Sequence, residues 1–155
     1  MNPETKIINK NYFTHIQMRQ ALENIMQQIS QSDQMPQIVL GINRGGCIPG
    51  IYLSHRLNVP HVTLNVALRD HDIKPDLSAL EKAYAWQKKI LVVDDINDTG
   101  STFNYILENF GKPDRLKFGV LLHNIHSECQ QLDYKGYDID KVKDPRWIVF
   151  PWEQW

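Results

Sequence analysis

Ile90-Leu-Val-Val-Asp-Asp-Ile-Asn-Asp-Thr-Gly-Ser-Thr102 is the stretch from which the rest of the chain is read. Its four leading apolar residues predict a buried strand. Asp94 and Asp95 stand where that strand ends, a turn of small hydroxylated residues follows, and helix-like sequence begins at Thr102. Open α/β sheets bind ligands outside the carboxyl ends of their strands. The free N–H groups that open a helix attract anions. Gly100 permits a positive φ and close backbone approach, while Thr99, Ser101 and Thr102 add hydroxyl donors. With Asp98 they can wrap a phosphate in N–H and O–H groups. Paired carboxylates can hold hydroxyls, or a divalent cation that a phosphorylated ligand brings with it. The run therefore fits a ligand carrying both phosphate and hydroxyl groups.

The sequence on either side repeats the same grammar. Gln37-Ile-Val-Leu-Gly-Ile42 predicts a second short buried strand, and Asn43-Arg-Gly-Gly-Cys-Ile-Pro-Gly50 a Gly-rich turn leading to a helix over 51–57. Arg44-Gly45-Gly46 makes a tight turn after that strand. Beside another phosphate-type loop, its guanidinium and open backbone predict a second anion site. Residues 61–68 predict a strand, with Val62, Leu64 and Val66 alternating against His61, Thr63 and Asn65. Residues 69–80 turn polar and charged and contain Pro75, which predicts a long exposed loop of the kind that serves as a lid. Residues 116–122 predict a further strand. Near the start, Thr14 is the expected N-cap of a helix over 15–32, with Met18, Ala21, Leu22, Ile25, Met26 and Ile29 as its apolar stripe. Residues 138–155 read as irregular and rich in tryptophan.

Strands alternating with helices predict an α/β fold with a mainly parallel sheet and right-handed crossovers. Such a sheet gathers its βα turns at one edge, so 43–46, 69–76 and 94–102 are expected to converge.

Composition bounds the rest. The chain has 155 residues, 42% hydrophobic and 23% charged, which suits one globular domain over 1–155. A formal net charge of -1 argues against broad binding to nucleic acid or an anionic membrane. No apolar run reaches the roughly 20 residues of a membrane span, and the polar N-terminus lacks a signal-peptide core. Two cysteines, Cys47 and Cys129, predict reduced thiols and a cytoplasmic location rather than a disulfide scaffold. His123, His126 and Cys129 have ligand-like spacing, but residues three apart on a strand face opposite sides. They read as a strand end and loop. Trp86, Trp152 and Trp155 read as packing residues.

The run Val92-Val-Asp-Asp-Ile-Asn-Asp-Thr-Gly-Ser-Thr102 closely resembles the ribose-phosphate signature of type I phosphoribosyltransferases. Ile42-Asn-Arg-Gly-Gly-Cys-Ile-Pro-Gly50 resembles the family's pyrophosphate loop, and Arg69-Asp-His-Asp72 falls where its flexible catalytic loop is expected. Trp147-Ile-Val-Phe-Pro-Trp-Glu153 is similar to the base-binding end of the bacterial xanthine-guanine and hypoxanthine enzymes. The resemblance covers residues 37–153. It implies a type I phosphoribosyltransferase fold with a small C-terminal base-binding hood. The activity implied is transfer of phosphoribose from 5-phosphoribosyl-1-pyrophosphate (PRPP) to guanine, xanthine or hypoxanthine in purine salvage, releasing pyrophosphate.

The resemblance also implies roles. Asp94 and Asp95 would hold the ribose hydroxyls, with Asp95 in the environment of a Mg²⁺ cofactor. Residues Asp98, Thr99, Gly100, Ser101 and Thr102 would cradle the 5′-phosphate, and Arg44 and Gly45 would contact pyrophosphate. Asp98 would handle the proton at the base's N7. Trp147 would stack on the purine, and backbone carbonyls at Trp147 and Ile148 would accept from a 2-amino group. The partners would be PRPP and a nucleobase, in a homodimer or homotetramer. Two positions depart from the pattern. Gly100-Ser101 replaces a Gly-Gly pair, and His123-Asn124 stands where relatives carry a lysine that reads the 6-oxo group. Asn124 would then be the base contact at that place, and it can donate or accept, whereas lysine only donates. Transfer to a different acceptor base, and a non-catalytic binder of PRPP or nucleotide that regulates, are the alternatives this leaves open.

Overall fold

The structure, a computed structural model, describes residues 9–66, 68 and 74–153. Five strands form its main sheet: β2 (Ile38–Ile42), β3 (His61–Leu64), β4 (Ile90–Asn97), β5 (Leu116–Asn124) and β6 (Tyr134–Ile139). They lie in the order β3-β2-β4-β5-β6, and every pairing is parallel. Central strands of such a sheet are covered on both faces. All five residues of β2 are accordingly buried, as are Ile90, Leu91, Val92 and Val93 of β4.

The helices divide between the two faces. On one side α1 (His15–Gln31) and α2 (Cys47–Leu57) pack Ala21, Ile25, Ile29 and Leu53 against Val39, Leu91 and Val93. On the other, α3 (Ser78–Ala85) and α4 (Ser101–Asn109) press Leu80, Phe103 and Ile106 onto Leu40, Val92 and Phe118. Thr14 caps α1 as expected, in a capping box: its hydroxyl accepts from Gln17 N at 3.1 Å, and the Gln17 side chain accepts from Thr14 N at 2.9 Å. Among the described residues no helix is long and apolar enough to cross a membrane.

A second, two-stranded sheet forms the hood. Here β1 (Lys10–Tyr12) pairs in parallel with β7 (Trp147–Val149), aligning Lys10 with Trp147 and Tyr12 with Val149. Phe13 seats it on the body through edge-on contacts with Phe150 at 5.6 Å and Tyr137 at 6.5 Å.

Several boundaries differ from the sequence reading: β4 runs past Asp95 to Asn97, and β5 past Leu122 to Asn124. Helix α2 begins at Cys47 and not at residue 51, because Pro49 falls in its first turn, where a missing N–H costs nothing. Strand β3 ends at Leu64. Val62, expected to face inward, is 40% exposed because β3 is an edge strand. The loop expected over 69–80 gives way to α3 at Ser78, since Leu77 and Leu80 are buried. Residues 69–73 lie outside the described residues. The tail read as irregular contains part of β6, β7 and a 3-10 turn at Pro151–Glu153.

Candidate active site

Two βα turns meet where β2 and β4 end. Together they line a cavity of about 480 Å³, bounded by 42–45, 94–103, Asn65 and Leu68. That size lies within the range of small-molecule sites. Adjacent parallel pairing of β2 and β4 brings the turns together, as the topology predicts at a strand-order switch point. Of the third turn, residues 69–73 are outside the described residues. Asp76 is tied back to the end of β3, where its N–H donates to Asn65 O at 2.7 Å.

The carboxylates are held by their own backbone. Asp94 Oδ1 accepts from Asp95 N at 2.9 Å, and Asp95 Oδ1 accepts from Ile96 N at 2.7 Å. Both side chains are half-buried and line the cavity. A Cβ added to Gly45 would collide with the Asp95 carboxylate, so the two turns touch at that point and a larger residue would displace that carboxylate. The Asn43–Arg44 peptide is cis, and Arg44 is exposed at the cavity wall.

The phosphate-type loop closes as a tight turn into α4. Gly100 has φ +93°, in the left-handed region that glycine tolerates, and a Cβ there would lie 2.5 Å from Cys129 N and 2.7 Å from Ser127 Oγ. Thr99 and Ser101 are exposed, their hydroxyls 3.0 Å apart. The chemistry offered is thus hydroxyls and backbone N–H groups on one side, and carboxylates on the other.

The loop rests on a buried polar scaffold that the sequence did not disclose. Asn97 Nδ2 donates to Cys129 O at 2.8 Å and lies 3.1 Å from His123 Nδ1, while Ser127 Oγ donates to Asn97 Oδ1 at 3.1 Å. Glu128 N donates to Thr99 O at 2.9 Å. His123 and Cys129 are therefore parts of this support, in keeping with their reading as strand end and loop. Asn43 and Asn65 were also missed. The pairing of Ile42 with Leu64 aligns the two strand ends, and Asn43 Nδ2 donates to Asn65 Oδ1 at 3.1 Å across the cavity's rim. The signal available was a polar residue just past each strand.

Burial pushes the Cys47 thiol up from the ordinary range, a hydrogen bond with Thr63 opposes this, and the Asp94 charge raises it further. The net shift disfavours the thiolate, the reactive form.

The remaining expected residues lie off this cavity. Trp147 is 50% exposed on the hood, and its N–H donates to Asn9 O at 3.1 Å. Ile148 packs against the α1–α2 face of the core. Asn124 is 7% exposed and sits behind the phosphate-type loop, with its side chain bonded to Asp98 and to backbone N–H groups.

Mg²⁺ suits this donor set. Among the described residues no three His, Cys, Asp or Glu side chains converge as a metal cage. Mg²⁺ does not need one, because one or two carboxylates plus a ligand's own phosphate oxygens and water complete its shell. Asp95, with Asp94 beside it, supplies oxygens of that kind.

A family model for the phosphoribosyl transferase domain matches residues 9–154. Among solved structures, the chain is similar to a purine phosphoribosyltransferase from Pyrococcus horikoshii, at 27% identity and TM-score 0.69, covering 94% of this chain and 95% of that one. A hypothetical protein from Neisseria gonorrhoeae with bound ppGpp superposes with TM-score 0.75 at 20% identity, covering 96% and 91%. The Helicobacter pylori xanthine-guanine-hypoxanthine phosphoribosyltransferase gives TM-score 0.67 at 21% identity, covering 93% of each chain. The last two likenesses concern the fold.

Proposed function

Since the chain belongs to the phosphoribosyl transferase domain family, we propose that it transfers the phosphoribosyl group of PRPP to a purine base, guanine, xanthine or hypoxanthine, in purine salvage. One observation carries this reading. The Gly45 turn and the Asp95 carboxylate abut in a cavity whose far wall is the Asp98–Thr102 loop. A ligand with a pyrophosphate at one end, a dihydroxylated ring in the middle and a phosphate at the other matches that order. The likeness to the Pyrococcus purine enzyme supports a purine as acceptor.

In this mechanism the residues mainly position and stabilise. Thr99, Gly100, Ser101 and Thr102 hold the 5′-phosphate with N–H and O–H donors. Asp94 and Asp95 hold the ribose hydroxyls. Arg44 and Gly45 bind the leaving pyrophosphate, the guanidinium gripping two oxygens at once. Mg²⁺, when bound near Asp95, neutralises charge on that leaving group. The C1–O bond lengthens before the base attacks, so positive charge develops on the sugar, and the paired carboxylates stabilise it electrostatically. Asp98 takes the proton released at N7 as the new C–N bond forms. Trp147 stacks on the base, which also meets backbone carbonyls near Ile148. The enzyme works as a cytoplasmic homodimer or homotetramer.

A different acceptor is the second reading, and the commitment of Asn124 favours it. Its side chain is bonded to Asp98 and to backbone N–H groups, where the resembling family carries a lysine for the 6-oxo group. One assay tests both readings: pyrophosphate release from PRPP and Mg²⁺ with guanine, xanthine, hypoxanthine, adenine and pyrimidines. Turnover with 6-oxopurines is expected. Turnover confined to another base supports the second reading, and release with none of them rejects both.

A further inference from the structure

The hydrogen bonds of Asn124 join two parts of the site. Its Nδ2 donates to Asp98 O at 3.1 Å and to Asp98 Oδ1 at 3.3 Å. Its Oδ1 accepts from His126 N at 3.2 Å and from Lys141 N at 3.3 Å. A primary amide has two donor hydrogens and two acceptor lone pairs, so all four capacities are in use. At 7% exposure Asn124 sits where an unmade hydrogen bond is costly.

The Lys141 side of this joint leads to the hood. Lys141 opens the turn between β6 and β7, and its Nζ donates to Arg146 O at 2.6 Å, one residue before Trp147. The turn is cross-linked by its own side chains. Asp140 Oδ1 accepts from Val142 N and Lys143 N, both at 3.0 Å, and lies 3.0 Å from His126 Nε2. Arg146 grips Asp144 with two bonds of 2.7 Å. An unbroken chain of hydrogen bonds thus runs from Asp98 through Asn124 and Lys141 to Arg146.

We propose that Asn124 is a positioning residue that fixes the phosphate loop at Asp98 relative to the turn carrying Trp147, and so sets the spacing between ribose and base. This rests on the reading of Asp98 and Trp147 given above. It assigns Asn124 no contact with the base. The Asn side chain suits the task because it alone must donate to a carboxylate and accept from backbone amides at once. Lysine, which only donates, could not make the second half of the joint.

The test separates the two halves. Asn124→Ala removes both, whereas Asn124→Asp keeps the acceptor for His126 and Lys141 but loses the donors to Asp98. Kinetics with the preferred base are measured beside amide hydrogen exchange, which needs no turnover. For Asn124→Ala, kcat is expected to fall on the order of 100-fold, as for a misplacement of about 1 Å. KM for PRPP should stay within about 3-fold and KM for the base should rise. Exchange should quicken both in 98–102 and in 141–147. For Asn124→Asp, kcat should fall comparably, KM for the base should hold, and exchange should quicken in 98–102 alone. An Asn124→Ala enzyme with kcat within 2-fold of the parent overturns the proposal. So does unchanged exchange in either segment. If the parent turns over no base, the functional reading fails, and the exchange pattern still decides the joint.

Discussion

The phosphate loop and the hood both stand beside the carboxyl ends of the strands, yet they are made differently. The loop is one unbroken run from β4 into α4, so its residues are neighbours by covalent connection. The hood is assembled from residues 10–12 and 147–149, far apart in the chain, which pair with each other and are seated by the packing of Phe13, Tyr137 and Phe150. The loop is also supported from behind by buried hydrogen bonds through Asn97 and Ser127, whereas Trp147 leaves half its surface exposed. On the proposed function, a loop that holds phosphate and ribose and a separate hood that holds the base would let one part be fixed while the other varies. Donor and acceptor recognition would then be divided between local and long-range structure.

This division can be broken from either side. The largest effect is expected from removing Asp94 and Asp95 together by alanine: turnover should fall by about 10³-fold or more, the scale of lost electrostatic stabilisation. Circular dichroism should show an intact fold. Near-normal turnover would mean the carboxylates are only strand-end residues. Gly45→Ala should come next, at roughly 100-fold in kcat/KM, because its new methyl meets the Asp95 carboxylate. A titration of PRPP binding would locate the loss on the donor side, and unchanged affinity would contradict the contact.

Trp147→Ala should strike the other region. Stacking of a base on an aromatic ring contributes about 1–3 kcal/mol, so KM for the base should rise roughly 5- to 150-fold while KM for PRPP holds. A change confined to PRPP would undo the assignment of base binding to the hood. The smallest effect concerns acid. Hydrogen bonds and charge from Arg146 lower the Asp144 carboxyl to about 2, and backbone N–H groups lower Asp140. A depressed folded value means their support is complete above the ordinary carboxylate range and is lost only as pH falls through the folded one. Carboxyl resonances followed by NMR should therefore place the Asp144 midpoint near 2, and an ordinary midpoint near 4 would show that Arg146 does not hold the turn.

The same contrast explains what the sequence disclosed. Residues 90–102 were legible because strand, carboxylates, glycine turn and helix follow one another, and each has a local physical signature. The parallel sheet followed from the alternation of elements, and α1 from Thr14 and its apolar stripe. The β1–β7 pair was not legible, since three-residue strands have no periodicity and gain their stability from partners far along the chain. Helix α3 was hidden because polar residues around Pro75 masked the burial of Leu77 and Leu80. Asn124 shows the limit most clearly. Its residue type announced a departure from the resembling family, but only the fold shows that its donors point at Asp98 and its acceptor at Lys141.

A crystal structure with the nucleoside 5′-monophosphate of the preferred base tests the central claim most directly. The account predicts the phosphate on the N–H and hydroxyl groups of Thr99–Thr102, the ribose hydroxyls at Asp94 and Asp95, and the base against Trp147. A phosphate seated elsewhere, or a base that leaves Trp147 untouched, would contradict it.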